Sequence, residues 1–334
     1  MGTEDGRSER PADAAVGERR HLIDLAYRML GAPAEAEDAV QEAYARWYAM
    51  TPARRRAVEV PGAWLTTVVS RICLDVLGSA RVRRERYVGE WLPEPLPDRT
   101  EWLGGTGGRP ADPADRITLD ESVRMAFLVV LESMTPAERV VFVLHDVFRY
   151  PFPEIAAIVD RTPAACRQLA SSGRRRVGAA GAAGAAGAPA AGRARQARQA
   201  RQARQARQAE AAEQAEVVRR FRRAWEAGDI EALVGLLDPA ATMVADGGGL
   251  VGAVLRPVEG GARIARYLVL MAEKAPGLTL LERTVNGLPG LVAQRDGATA
   301  TVAALDLADG RITRIWAVRN PEKLTRWTVG GGTL

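Results

Sequence analysis

PFPEIAAIVDRTPAACRQLASSGRRRV, residues 151–177, reads as two short helices joined by a tight turn. Pro153 followed by Glu154 suits a helix start: a proline in the first turn forfeits no hydrogen bond, and an acid there favours the helix dipole. Ile155, Ile158 and Val159 share one face at helical spacing. The pattern stops at Asp160-Arg161; Thr162 then offers a capping oxygen and Pro163 restarts a helix. Cys166, Leu169 and Ala170 give the second helix a buried side. Ala164, Ala165, Arg167, Gln168, Ser171, Arg174 and Arg175 are left facing out. A second helix of small residues bearing Arg and Gln is a helix-turn-helix signature. Residues 161–177 hold five Arg and no acid, an electrostatic footprint for phosphate. An ordinary helical hairpin with a solvated arginine face is the alternative.

A chain of 334 residues with 47% hydrophobic content allows two or three domains with sizeable cores. It has no apolar run of membrane length. Its N-terminus, MGTEDGRSERPADAAVGERR, is too polar for a signal peptide or anchor, so a cytoplasmic protein without membrane contact is predicted. Cys73 and Cys166 lie far apart in helical patterns, which fits a reducing compartment and suggests neither a disulfide framework nor a zinc cluster. No cofactor, metal site or catalytic residue is expected. The net charge of +5 has a local origin: residues 1–177 hold 25 basic and 26 acidic side chains, whereas 178–212 hold six Arg and one Glu. The surplus therefore sits in a linker, and local clusters matter more than the whole-chain balance.

Along the chain, residues 1–17 look disordered and 18–86 read as one helical domain. Leu22, Leu25, Ala26, Met29 and Leu30 cover a broad face of the first helix. The second helix, 34–50, turns Val40, Ala43, Tyr44 and Trp47 inward. Residues 51–60 form a basic loop with Arg54, Arg55 and Arg56. A third helix runs from Pro61 to about residue 86 and ends basic at Arg81, Arg83, Arg84 and Arg86. Residues 87–115, rich in Pro, Gly and Trp, lack periodicity and read as an extended linker. Two further helices, 117–134 and 136–148, complete a four-helix unit over 116–177. Residues 178–212 are low in complexity: a GAA repeat, then a Q-A-R repeat, read as linker expansion, with extra nonspecific DNA affinity as the alternative. Residues 213–334 open with helices and continue into strand-like runs at 241–245, 250–256, 278–285, 290–295, 298–307 and 312–318. A helix at 261–274 interrupts the runs, giving an α+β unit. The fold class is thus multidomain, two all-α domains followed by an α+β domain.

Two further stretches, AEAEDAVQEAYARWY and PGAWLTTVVSRICLDVLGSARVRRERYVGEWLPEPL, together with the helix-turn-helix, resemble the extracytoplasmic-function (ECF) class of bacterial RNA polymerase sigma factors. The resemblance runs from about residue 21 to 177. The WLPEP box at 91–95, the DGGG box at 246–249 and NGLPG at 286–290 resemble the SigJ-like subgroup, which has a fused SnoaL-like (nuclear-transport-factor-2-like) C-terminal domain. The resemblance implies that 18–86 binds core RNA polymerase and the promoter −10 element. Glu37, Asp38, Gln41 and Glu42 are then polymerase-facing candidates. Arg71, Arg81, Arg83 and Arg84 are candidates for −10 phosphates, while Trp64 reads as core. It also implies that 116–177 reads the −35 element. Arg167 and Gln168 are the base-edge candidates, with Ser171, Arg174 and Arg175 beside them. Ser171-Ser172-Gly173 interrupt what relatives continue as a glycine-free run, so the helix is expected to fray there.

For the C-terminal domain the resemblance implies regulation by contact with the sigma domains. The interface would include Trp91, Leu92, Pro93, Glu94 and Pro95, with Asp246, Gly247, Gly248 and Gly249, and with Asn286, Gly287, Pro289 and Gly290. Asp246 reads as a turn residue whose carboxylate caps nearby backbone, with a catalytic base as the other reading. Asn286-Gly287 and Pro289-Gly290 read as one tight turn. Relatives carry Lys after DGGG; here it is Leu250, so a salt bridge from that position is absent. Two other readings stay open: a one-component DNA-binding regulator with a ligand-sensing domain, and an isomerase- or cyclase-like enzyme fused to a DNA-binding module. The chain's two histidines, His21 and His145, both fall outside the C-terminal domain.

Overall fold

The computed structural model describes residues 11–84, 87, 89–97, 124–179, 193–251 and 256–327, with the backbone alone at 11–17, 80–84, 193–204 and 207. Two compact units share the chain. One comprises Met1–Arg83 with Val130–Gly187; the other comprises Arg84–Val129 with Ala188–Leu334.

The first unit is helical. Helices α1 (Pro11–Leu30), α2 (Pro33–Ala49) and α4 (Pro61–Arg84) carry its front part, with a single-turn helix α3 (Pro52–Arg56) between them. Helix α1 starts seven residues before position 18, correcting the expectation for 11–17; Pro11 at the first helical position and the alanines after it favour the earlier start. Residues 1–10 lie outside the described residues. The stretch 51–60 is a loop only in part, because the Thr51 hydroxyl accepts the Arg54 N–H at 3.3 Å and caps α3.

Helix α5 (Met125–Glu132) is followed by α6 (Pro136–Phe142), which opens in a capping box: Thr135 Oγ1 accepts the Glu138 N–H, and Glu138 Oε2 accepts the Thr135 N–H. The chain leaves α6 through a π-helical turn, Val143–Val147, where a continuous helix to 148 was expected. Helices α7 (Phe152–Val159) and α8 (Pro163–Ala179) form the helix-turn-helix. Asp160 closes α7 in the left-handed region at φ 51°, and Thr162 Oγ1 caps α8 from the Ala165 N–H at 3.1 Å. No fraying occurs at Gly173. Helix α8 runs through it, and a Cβ there would lie 2.9 Å from a ring carbon of buried Phe142. The glycine permits close approach of α8 to α6.

The second unit begins its C-terminal part with one long helix, α9 (Arg193–Glu226). The Q-A-R tract is therefore helical and continuous with the helix expected from 213, since Ala, Gln and Arg all favour helix. After α10 (Ile230–Leu236) come strands β1 (Leu237–Asp246) and β2 (Val258–Glu259), helix α11 (Gly261–Glu273), then β3 (Leu278–Val285), β4 (Leu288–Arg295), β5 (Ala298–Ala308) and β6 (Arg311–Val318). Of the expected strand at 250–256, residues 250, 251 and 256 are not in a strand and 252–255 lie outside the described residues. The sheet order is β2-β1-β6-β5-β4-β3, with β1 and β6 parallel and the other pairs antiparallel. Asn286-Gly287, Asp296-Gly297 and Asp309-Gly310 make the hairpin turns with positive φ at both residues, as type I′ geometry requires. Pro289 and Gly290 lie in β4 and not in a turn; a Cβ on Gly290 would meet the Ala303 carbonyl oxygen at 2.6 Å.

Alternation along the strands gives the sheet two apolar faces. Leu291, Leu305 and Ile315 point to the side covered by Val218, Phe221, Leu233 and Ile264 of α9, α10 and α11. Val292, Val302, Trp316 and Val318 point to the other side. There Leu92 of the linker, Met125 and Ala126 of α5, and Leu324 and Trp327 of the C-terminal turns cover them. No helix among the described residues is long and apolar enough to cross a membrane.

The two glycines of α8 should respond oppositely to alanine. Gly178→Ala, with nothing within 4 Å, should gain up to about 1 kcal/mol of helix propensity. Gly173→Ala should lose a net ~1 kcal/mol, because overpacking against Phe142 outweighs that gain. Thermal denaturation of the two variants checks the pair.

Candidate functional site: a linker clamp

Two of the boxes singled out in the sequence, WLPEP and DGGG, meet in the second unit, together with the turn of the third. Strand β1 ends at Asp246, which is fully buried. An ionised carboxylate has about four acceptor sites, and four donors fill them here. Oδ1 accepts the Tyr87 hydroxyl at 2.6 Å and the Gly248 N–H at 3.1 Å. Oδ2 accepts the Leu92 N–H at 2.9 Å and Lys323 Nζ at 2.7 Å. Its backbone carbonyl takes the N–H groups of Arg319 and Asn320. The carboxylate caps its own turn at Gly248, as the sequence suggests, but three of its four partners come from elsewhere. No lone pair is left to abstract a proton.

Lys323 is the second pillar. Besides Asp246, its ammonium donates to the Leu92 carbonyl at 2.6 Å. It lies 4.0 Å from the Trp91 ring centroid and 5.0 Å from that of Tyr87, within cation–π reach of both. Lys323 makes its salt bridge to Asp246 from the 3₁₀ turn Pro321–Lys323. Leu250 itself is exposed. Burial, followed by the bond to Asp246, pushes the Tyr87 hydroxyl well above the ordinary phenol range, so it remains a donor. Asn320 Nδ2 donates to the Tyr87 oxygen at 2.9 Å. A Cβ on Gly248, at φ 63°, would collide with the Asn320 amide, 2.7 Å from its Cγ.

Further along the box, the Trp327 indole donates to the Pro95 carbonyl at 2.9 Å, and Arg326 lies 3.8 Å from Glu94. Asn286, held at φ 51° by the hairpin turn, donates its N–H to the Leu96 carbonyl at 2.8 Å and accepts the Leu96 N–H at 3.2 Å. Leu92, Pro93, Glu94 and Pro95 are buried and Trp91 is half-buried. Gly247 is buried, while Gly249 and Gly287 are exposed turn residues. Pro289 takes part differently: its carbonyl accepts the Gln214 side chain at 2.8 Å. Tyr87, Asn320, Lys323 and Trp327 were not singled out in the sequence. The signal available was compositional, since Lys323 is one of two lysines among 46 basic residues.

In the first unit, Asp38, Gln41 and Glu42 are exposed on α2 and Glu37 is half-buried; Glu42 pairs with Arg46 at 2.9 Å. Trp64 packs against buried Trp47, 5.2 Å between ring centroids. Arg71 is exposed on α4, but its guanidinium donates to the Ala157 carbonyl at 2.8 Å. Arg81, Arg83 and Arg84 fall on the last turn of α4, and their side chains lie outside the described residues. On α8, Arg167, Gln168 and Ser171 are exposed together, with Arg167 over the Phe152 ring. Arg174 pairs with Asp146 at 2.6 Å and Arg176 lies 3.7 Å from Glu138, while Arg175 is exposed. Burial alone would raise the Glu138 carboxyl. Hydrogen bonds from the Thr135 backbone, Ser172 and the Thr135 hydroxyl, with the Arg176 charge, outweigh it and hold the group below its ordinary range.

Residues 17–86 match the family model for Sigma-70 region 2, and residues 124–177 match that for Sigma-70, region 4. The chain is 37% identical over 318 residues to the ECF RNA polymerase sigma factor SigJ of Mycobacterium tuberculosis, spanning 92% of this chain and 91% of the relative. The probable ECF RNA polymerase sigma factor SigI of the same organism is 35% identical over 317 residues, 94% of this chain and 95% of the relative. The crystal structure of the M. tuberculosis SigJ superimposes with a TM-score of 0.67 at 33% identity, over 95% of this chain and 99% of that one.

Two outcomes follow from this geometry. Lys323→Gln should destabilise the second unit by about 3–5 kcal/mol, because it leaves the buried Asp246 carboxylate without its cation. Exposed Lys274→Gln should stay within ~0.5 kcal/mol; chemical denaturation separates the two. A depressed carboxyl stabilises the fold above its unfolded value, 4.5 for Glu138, and that contribution is lost as pH falls through the lower folded value. Thermal scans between pH 6 and 3 should therefore show a smaller acid loss for Glu138→Gln than for the wild type.

Proposed function

Because the chain belongs to the ECF RNA polymerase sigma factors, we propose that it binds core RNA polymerase, directs it to a specific promoter set, and is regulated by its own C-terminal α+β domain. The linker clamp carries the regulatory part. Any movement of the linker between the two promoter-reading parts has to break the bonds that Asp246, Lys323, Asn286 and Trp327 make to residues 87–96. The domain thus tunes the sigma regions through the segment that connects them. This takes place in the cytoplasm, where the polymerase works.

Helix α2 supplies the polymerase-facing acids and amide, Glu37, Asp38, Gln41 and Glu42. Helix α4 supplies Arg71, Arg81, Arg83 and Arg84 for −10 phosphates. Exposed Arg167, Gln168 and Ser171 on α8 enter the −35 major groove, where Arg suits guanine and Gln suits adenine. Arg174 is engaged with Asp146, so Arg175 is the freer phosphate contact of that pair. The protein is not an enzyme: Asp246, the acid offered by the C-terminal domain as a base, has all its acceptor sites filled, and both histidines belong to the first unit.

Run-off transcription with purified core polymerase and selected promoters tests the reading. Wild type should form a holoenzyme, and failure to do so would sink the sigma role. Arg167→Ala should cost about 1–3 kcal/mol of discrimination at one −35 base pair. Lys323→Gln and Trp327→Phe, which loosen the clamp at two separate points, should each change promoter output severalfold. Unchanged output from both would remove the regulatory role.

A further inference from the structure

Building on the −35 reading of helix α8, we propose that Phe152 is a positioning residue for that recognition: its ring, seated on His145, holds the Arg167 guanidinium ready for one base pair. The guanidinium carbon of Arg167 lies over the Phe152 ring, 5.7 Å from its centroid. The Phe152 ring in turn stacks on the His145 imidazole, with 3.9 Å between centroids and 26° between planes. His145 Nδ1 lies 3.0 Å from the Tyr150 carbonyl oxygen, which fixes the rotation of the imidazole. One half-buried ring thus joins a seated imidazole to the exposed arginine of the recognition helix.

The chain adopts irregular backbone to build this stack. His145 sits in the π-helical turn Val143–Val147, and Arg149 takes a left-handed φ of 65°. The Arg149 N–H bonds the His145 carbonyl at 3.2 Å, and the Tyr150 N–H bonds the Leu144 carbonyl at 2.9 Å. Phe152 then opens α7 between Pro151 and Pro153, whose rings fix their own φ. A π turn and a non-glycine residue at positive φ each cost free energy that a regular connection avoids, and both concentrate at functional sites. Here they fall together within residues 143–149, and what they place is His145 and Phe152.

A ring holds this charge without consuming its donors. Three neighbouring arginines are committed: Arg161 to the Asp160 carbonyl, Arg174 to Asp146, and Arg176 beside Glu138. Arg167 has no hydrogen-bond or ion-pair partner among the described residues. A carboxylate would compete with guanine O6 and N7 for the same fork of N–H groups. An aromatic ring attracts the cation and leaves that fork unspent. A guanidinium already confined loses less rotamer freedom on docking, so base preference rises without a further contact to DNA.

Base preference of the holoenzyme formed with the full chain tests this, on promoter duplexes varied one −35 base pair at a time. Arg167→Ala identifies the pair that Arg167 reads. Phe152→Leu should lower preference at that pair about two- to fivefold, the range of an exposed cation–π contact, and leave the other −35 positions unchanged. Phe152→Met should do the same, whereas Phe152→Tyr, which keeps a ring, should restore the wild-type preference. In the Arg167→Ala background, Phe152→Leu should have no further effect at that pair. Preference is a ratio between duplexes, so a smaller folded fraction of any variant cancels from it. Wild-type preference in both Phe152→Leu and Phe152→Met, or an increase in either, overturns the proposal. So does an equal loss at every −35 position, which is what a merely structural role gives. If Arg167→Ala changes no preference, the −35 reading of Arg167 fails and this proposal with it; a silent Phe152 beside an active Arg167 sinks this proposal alone.

Discussion

The Asp246 carboxylate has no access to water, and the second unit is arranged around satisfying it. Burying a bare carboxylate costs several kcal/mol after relaxation. The cost is offset by a cation at 2.7 Å and three hydrogen bonds, and every donor but Gly248 lies far from it in sequence. Residue 87, residue 92, the end of β1 and the C-terminal 3₁₀ turn are therefore fixed by one charge. The apolar part follows from it. Once Leu92 is seated by its own N–H and carbonyl, its side chain joins Trp316, Val318 and Trp327 over the second face of the sheet. A peptide with no secondary structure of its own thereby acquires a defined path.

The first unit treats charge in the opposite way. Arg28 and Arg139 are buried there, paired with Asp24 and Glu132. Burial lowers Arg139 to about 9. These pairs sit between helices whose core is otherwise apolar, with Leu25, Leu30, Val40, Leu65 and Val140 all buried. Gly173 shows how closely those helices approach where no charge intervenes.

Much of this was legible in residues read locally. The helix-turn-helix, strands β1 and β3 to β6 and the Asn-Gly turn depend on neighbours in sequence, and helical spacing, capping and φ preference report on neighbours. The partners of Asp246 were not legible, because they converge through the parallel pairing of strands β1 and β6 and through a linker without periodicity. A charge pair requires a cation in space, and Lys323 provides one from 77 residues away. The helical state of the Q-A-R tract was hidden by its low complexity, although each of its residue types favours helix. Gly173 was read by propensity alone, which is blind to the ring of Phe142.

Residues 87–96 behave as a ligand joined at both ends to the protein that binds it. Short tethers of this kind give effective concentrations in the millimolar range. A rival for the contacts of Asp246, Lys323, Asn286 and Trp327, whether another peptide or a surface of a partner, competes against that concentration. Dissociation is correspondingly incomplete: a released linker stays within reach and rebinds as soon as the rival leaves. In the proposed regulation, the contact is therefore reversible without synthesis or breakdown of any second protein.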